Sequence, residues 1–324
     1  MRKASPSGLL ASPLYRDLEG ESKLLVKDSR NLDERDIKNN SVHLVVTSPP
    51  YPKVRLWDPM FLSLGINTFE KSHDYLEKVW RQCYRVLVDG GILCVNIGDA
   101  TRTVSAEELG YESQEPMFRL FPNHALVMDR CEEVGFEALP YILWKKPTTR
   151  PKYKGKTVYL GSGFLPPNAY VTQDVEYILI FRKGGRRKFD PGDRRRLESQ
   201  YTKPQRDKWF SQIWTGITGA RQTIGDSERR IAAFPEEIPS RLIQMFSVKG
   251  DTIFDPFLGS GTTMKVAAEL DRYCIGVEVD ETLFLTILHR IGYFDESSGI
   301  RRQGVELPTE MISRFHLELD RGLA

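Results

Sequence analysis

The run Thr47-Ser48-Pro49-Pro50-Tyr51 closes an apolar stretch, Val42-His43-Leu44-Val45-Val46, and its residue types define a chemistry. Two consecutive prolines fix φ and remove two backbone donors, so a strand ending this way presents bare carbonyls in a rigid geometry. The Ser48 hydroxyl and the Pro49 carbonyl are then two acceptors for the hydrogens of a planar amino group. An amine conjugated with an aromatic ring is a poor nucleophile, because its lone pair is delocalised. Acceptors around it pull it toward tetrahedral geometry and stabilise the positive charge that develops when the nitrogen is alkylated. Tyr51 adds an aromatic face for a planar ring. Ser48, Pro49, Pro50 and Tyr51 form the candidate catalytic set.

A second run, Asp255-Pro256-Phe257-Leu258-Gly259-Ser260-Gly261-Thr262-Thr263, follows Thr252-Ile253-Phe254 and reads as strand, glycine turn and helix start. Glycine lets a backbone approach a ligand closely. No G-K-[ST] follows at phosphate-loop spacing, and Met264 stands where the dinucleotide fingerprint needs its third glycine. Glu278, near the end of Ile275-Gly276-Val277-Glu278-Val279, is where an acid accepts hydrogen bonds from both hydroxyls of a ribose.

Together, in this order and this far apart, the two runs resemble those of S-adenosylmethionine-dependent DNA amino-methyltransferases (cytosine-N4 and adenine-N6) in which the catalytic motif precedes the cofactor motif. Weaker stretches between Lys27 and Asp280 are similar to the same family: Asn96-Ile97-Gly98-Asp99, Trp144-Lys145-Lys146-Pro147, Glu176-Tyr177-Ile178-Leu179, and Phe234-Pro235-Glu236-Glu237-Ile238-Pro239-Ser240-Arg241-Leu242-Ile243. The His-Pro that often opens the last of these is replaced by Ile231-Ala232. The resemblance implies S-adenosylmethionine as cofactor. Asp28 would lie near its adenine ring and Asp255 would face its amino group, with Pro256, Phe257, Gly259, Ser260, Gly261, Thr262, Glu278 and Phe234 completing the site. It also implies that Tyr51 stacks on a base flipped out of the duplex, with Arg55 and Trp57 as further target contacts. Ser at position 48 favours cytosine N4, since the adenine-modifying relatives more often carry Asp or Asn. An adenine-N6 enzyme, a catalytically silent DNA-binding subunit, and an enzyme acting on RNA or protein stay open as alternatives.

Apolar strands alternate with amphipathic helices through most of the chain. The strand-like runs are Leu24–Val26, Val42–Val46, Ile92–Ile97, Ala138–Trp144, Val175–Phe181, Thr252–Phe254 and Tyr273–Val279. Helical patterns cover Ser72–Leu87, Ala125–Val134, Pro239–Phe246 and Thr262–Leu270, with a turn or two over Leu32–Ile37. This alternation predicts an α/β fold, a sandwich with a mostly parallel sheet covered on both faces, and with the resemblance a Rossmann-like methyltransferase sandwich. From Arg182 to Arg230 the composition turns basic, with interleaved aromatics, and the resemblance places a small target-recognition insertion there. The expected organisation is a catalytic half over 1–181, the insertion over 182–228, and a cofactor-binding half over 229–324. Cationic residues of the insertion, Arg186, Arg187, Lys188, Arg194, Arg195 and Arg196, are expected on DNA phosphates, together with Arg55.

The 324 residues, 40% apolar and 28% charged, suffice for one substantial core. A net charge of +2 does not by itself announce a nucleic-acid binder, so the distribution of charge carries the argument. Cys83, Cys94, Cys131 and Cys274 form no C-x-x-C pair and show no metal-ligand spacing with the histidines, so buried reduced thiols and no metal are expected. The N-terminal stretch is too broken for a signal peptide and no run is long enough to span a membrane. A cytoplasmic, soluble protein is the expectation. The expected partners are duplex DNA, a restriction endonuclease sharing the site, and a second copy of the chain, the last two implied by the resemblance alone.

Overall fold

The structure is a computed structural model that describes residues 22–104, 117–146, 152–153, 156–157, 165–218, 234–292 and 305–306. The expectations at residues 1–20, Pro147 and Ile231-Ala232 lie outside these residues.

The strands are β1 (Ser22–Val26), β2 (Val42–Thr47), β3 (Leu87–Ile97), β4 (Ala100–Val104), β5 (Met117–Phe121), β6 (Glu137–Lys145), β7 (Lys152–Tyr153), β8 (Lys156–Thr157), β9 (Val175–Arg182), β10 (Ile213–Trp214), β11 (Thr252–Asp255), β12 (Tyr273–Glu278) and β13 (Val305–Glu306). The helices are α1 (Asp58–Ser63), α2 (Phe69–Val86), α3 (Asn123–Val134), α4 (Arg194–Glu198), α5 (Lys203–Trp209), α6 (Glu237–Phe246), α7 (Thr262–Glu269) and α8 (Phe284–Arg290). Nine strands form one sheet in the order β10-β6-β9-β3-β2-β11-β12-β1-β13, parallel except where β9 runs against β3 and β6.

Both faces of the central strands are buried, which is why they read as continuous apolar runs. Leu44, Val46, Ile92, Cys94 and Ile253 point into one core with Ile238, Leu242 and Val266 of α6 and α7. Val42, Val45, Leu93, Val95 and Phe254 point into the other, with Leu76, Val79 and Trp80 of α2 and Val127 of α3. Thr68 caps α2 by accepting from the Lys71 N–H, which starts that helix before the residues at which the apolar stripe becomes visible. Gly135, at φ 112, ends α3 in the left-handed conformation. All four cysteines are buried and unbridged.

A 3-10 turn covers Ser29–Asn31, and one helical turn follows where the Ile37 N–H reaches the Asp33 carbonyl at 3.1 Å, its start held by the Asp33 carboxylate, which takes the Arg35 and Asp36 N–H groups. Within the basic segment, Ile213–Trp214 pairs with Leu143–Trp144 as the edge strand of the sheet, and Trp214 is buried in the core.

Candidate active site

The site forms where β2 and β11 lie side by side. The helix after β2 covers one face of the sheet and the helix after β11 covers the other, so the chain parts between their carboxyl ends and leaves the crevice in which doubly wound sheets bind ligands. Thr47 ends β2 and Asp255 ends β11, and the Thr47 hydroxyl donates to Asp255 Oδ1 at 2.6 Å. This bond ties the two sequence motifs together. Thr263 Oγ1 donates to Asp255 Oδ2 at 2.6 Å and the Phe257 N–H reaches Oδ1 at 3.1 Å. Burial pushes the Asp255 carboxyl up to about 6, against the pull of these bonds. Asp255 therefore serves as a buried joint between catalytic strand and cofactor loop, with both of its oxygens accepting from protein donors.

The cofactor loop closes around glycines. Gly259 (φ +56) and Gly261 (φ +87) occupy left-handed backbone, and the space beyond Gly259 is open: a side chain there would meet nothing nearer than the Phe257 carbonyl at 4.0 Å. Glu278 accepts from the Gly259 N–H at 2.8 Å and from the Val279 and Asp280 N–H groups at 2.9 Å. Burial nevertheless raises its carboxyl to about 7. Ser29 Oγ donates to the Pro256 carbonyl at 2.5 Å, which brings the Asp28 turn against this loop. Burial opposes ionisation of Asp28, but the Arg30 guanidinium and N–H hold its carboxyl below the usual range. Thr262 accepts from Arg290 at 2.7 Å, Phe257 meets Trp80 edge to face, and Ser260 and Phe234 are buried. An acid poised for two hydroxyls, an open glycine backbone and no phosphate cradle fit S-adenosylmethionine.

The catalytic loop leaves β2 with Pro49 and Pro50 buried and Ser48 half-buried. Ser48 Oγ donates to the Tyr51 hydroxyl at 3.1 Å, and Tyr51 donates to Glu176 Oε2 at 3.0 Å. Asn96 Nδ2 donates to both, at 2.7 Å to Tyr51 and 2.8 Å to Glu176. Lys146 bonds the other Glu176 oxygen. Burial, then the Glu176 charge, hold the Tyr51 phenol well above its ordinary range, so it keeps its proton. The rest of the loop is pinned from outside. Arg102 grips the Asp58 carboxylate with bonds of 2.7 and 2.6 Å and also reaches the Lys53 carbonyl. Buried Asn123 donates to the Pro52 and Gly98 carbonyls at 3.0 and 2.9 Å. Asp99 takes the His124 N–H and ring nitrogen at the start of α3. Arg55 is exposed at the outer side of this loop, and Trp57 packs partly into the core.

In the basic run, Arg182 pairs with Ile92, five residues before the carboxyl end of β3 at Ile97, and Asp251 precedes β11 whereas Asp255 ends it. Arg187 forms a two-bond ion pair with fully buried Asp251, at 2.6 and 3.0 Å. Arg187 and Arg196 flank the Phe189 ring, and Arg194 pairs with Glu198. The run is thus placed at the amino edge of the parallel strands, opposite Ser48 and Tyr51. Its physical reason is β9: an antiparallel strand returns the chain to the edge from which β3 departs. A cleft of about 760 Å³ opens at this edge, lined by Arg187, Phe189, Arg196, Tyr201, Met245 and Val248 among others.

Fold and site together define an S-adenosylmethionine-dependent methyltransferase. The chain belongs to the DNA methylase family of N6 and N4 amino-methyltransferases, whose model matches residues 42–288. It is 49% identical to the Type II methyltransferase M.MjaI of Methanocaldococcus jannaschii, over 92% of this chain and 98% of that one. It is 41% identical to the Type II methyltransferase M.MthZI of Methanothermobacter thermautotrophicus, over 83% of this chain and 76% of that one. Among solved structures, TTHA0409 of Thermus thermophilus, complexed with S-adenosyl-L-methionine, is 31% identical and superposes with a TM-score of 0.64 over 89% of this chain and 99% of its own. The cytosine-N4-specific PvuII DNA methyltransferase shares the fold at a TM-score of 0.57 and 18% identity, over 94% of this chain and 97% of its own.

The sequence singles out Ser48–Tyr51, the glycine loop and Glu278. It gives no role to Thr47, Thr263, Asn96, Glu176, Lys146 or Arg102. Asn96 and Glu176 stand in stretches that resemble family strands, which is the signal that could have marked them.

Proposed function

We propose that this DNA methyltransferase is site-specific, transfers its methyl group to cytosine N4 in duplex DNA, and serves as the modification partner of a restriction endonuclease. Ser48 carries the choice of base: a neutral hydroxyl beside the Pro49 carbonyl accepts from an amino group without placing a carboxylate or amide there. The Type II names of its relatives support the restriction–modification setting. Adenine N6 is the second reading, as the family contains both.

When bound, S-adenosylmethionine supplies a methyl group made electrophilic by a sulfonium. Glu278 would hold the ribose hydroxyls and Gly259 and Gly261 would let the backbone lie against the cofactor. The Ser48 hydroxyl and Pro49 carbonyl would accept the two N–H groups of the target amine and stabilise the charge that develops on its nitrogen. The Tyr51 ring would stack on the flipped base. Arg55, exposed beside the loop, would meet DNA phosphate or the target strand.

The test is to incubate the protein with S-adenosylmethionine and mixed-sequence duplex DNA, digest to nucleosides and identify the methylated one by mass spectrometry. N4-methylcytosine is expected, and Ser48→Ala should lower its yield by about 100-fold while cofactor binding persists. N6-methyladenine would overturn the choice of base.

A further inference from the structure

From the bonds around Tyr51 we infer that Glu176 is a positioning residue that fixes the direction of every hydrogen bond from the target amine inward, and that this chain carries the amine's proton away through Ser48 and Tyr51. The inference rests on the reading of Ser48 and Pro49 as the acceptors of that amine.

The direction follows from what each group can do. A carboxylate only accepts, and Lys146 occupies one oxygen of Glu176. Asn96 must therefore turn its amide nitrogen toward Glu176, and the same nitrogen also reaches Tyr51 at 2.7 Å. The Tyr51 oxygen, already accepting from Asn96, has one proton to give and gives it to Glu176 at 3.0 Å. Ser48, 3.1 Å from Tyr51, can then only donate to it. Both Ser48 lone pairs are left to accept, which is the role the amine requires. Gly98 makes the packing possible: a methyl group there would press on the Tyr51 ring and the Glu176 side chain, each at 3.1 Å.

The same polarity suits proton removal. As the N–CH3 bond forms and the S–CH3 bond breaks, the nitrogen gains positive charge and its N–H becomes acidic. That proton passes to Ser48 Oγ, the Ser48 proton passes to Tyr51 Oη, and the Tyr51 proton passes to Glu176 Oε2. The nitrogen, Ser48 and Tyr51 end neutral, and Glu176 holds one proton that it later returns to solvent. Lys146 stays charged throughout.

Glutamine and aspartate at position 176 separate this role from a purely structural one. In Glu176→Gln the amide would keep its oxygen on Lys146 and turn its NH2 toward Tyr51, reversing the chain so that Ser48 aims a proton at the amine. The carboxylate of Glu176→Asp is on a shorter arm but still only accepts. Initial rates of methyl transfer from radiolabelled S-adenosylmethionine to mixed-sequence duplex DNA are measured for wild type, Glu176→Gln, Glu176→Asp and Tyr51→Phe, with cofactor affinity by calorimetry and thermal unfolding for each. The expectation is a loss of about 100-fold in Glu176→Gln, the scale of general acid–base assistance, with cofactor affinity unchanged and a smaller loss in Glu176→Asp. The Tyr51→Phe/Glu176→Gln double variant should be no slower than the slower single one, because both break one chain. A Glu176→Gln rate equal to or above that of Glu176→Asp, or losses that multiply in the double variant, would overturn the proposal. A wild type that binds cofactor and methylates no DNA would instead remove the amine-acceptor reading on which it rests.

Discussion

At the residue scale, Glu278 shows how burial and hydrogen bonding compete over one carboxyl. Three backbone N–H groups favour its charge, but desolvation prevails and holds it at about 7 against a usual 4.5. A folded-state pKa above the unfolded one means that the native protein binds more protons between those values, so this group's contribution to stability falls as pH rises from about 4.5 through 7. Ribose hydroxyls donate to the charged form, so cofactor binding should expel the proton. At pH 7, calorimetry in buffers of different ionisation enthalpy should show release of about half a proton per cofactor bound. Glu278→Gln should abolish that release and weaken binding by about tenfold, the loss of one or two hydrogen bonds. Release that persists in the variant would assign the titration elsewhere, with Asp255, at about 6, the first place to look.

At the scale of elements, the catalytic loop depends on strands and helices far from it in the chain. Arg102 on β4 holds Asp58 and the Lys53 carbonyl, and Asn123 at the start of α3 holds the Pro52 carbonyl. Misplacing reacting groups by an ångström costs up to about 100-fold in rate. Arg102→Ala should therefore slow methyl transfer by about 10- to 100-fold, with S-adenosylmethionine affinity, measured by calorimetry, unchanged because Gly259 and Glu278 lie on other elements. These supports were invisible in the sequence for a physical reason. Apolar runs such as Ile92–Val95 and the stripe of α2 declare themselves locally, because burial selects each residue by its neighbours in the chain. Glu176 meets Tyr51 across 125 residues and Thr47 meets Asp255 across 208, and no local pattern encodes such a pairing. The strand Ile213–Trp214, which no hydrophobic period marks, is decided by edge pairing with Leu143–Trp144.

At the scale of the molecule, the two edges of the parallel strands hold different sets of residues. The carboxyl edge of β2 and β11 carries Ser48, Tyr51, Glu278 and exposed Arg55, while the arginine-rich run from Arg186 to Arg196 returns to the amino edge. Composition and the family resemblance make that run a candidate DNA contact, and within it Arg187 is engaged with Asp251, which is fully buried and also accepts the Val248 N–H at 2.9 Å. Removing one partner of a buried ion pair strands the other charge, at a cost of about 3–5 kcal/mol. Arg187→Ala should accordingly lower the unfolding free energy by about that amount while leaving the salt dependence of DNA binding unchanged. Arg55→Ala should do the reverse: stability within about 0.5 kcal/mol of wild type, and a salt slope of DNA affinity shallower by about one. Chemical denaturation and binding isotherms at several salt concentrations measure both. If Arg187→Ala instead flattened the salt slope without destabilising the fold, the amino edge would be a DNA surface, and the sheet would bind its substrate along both edges.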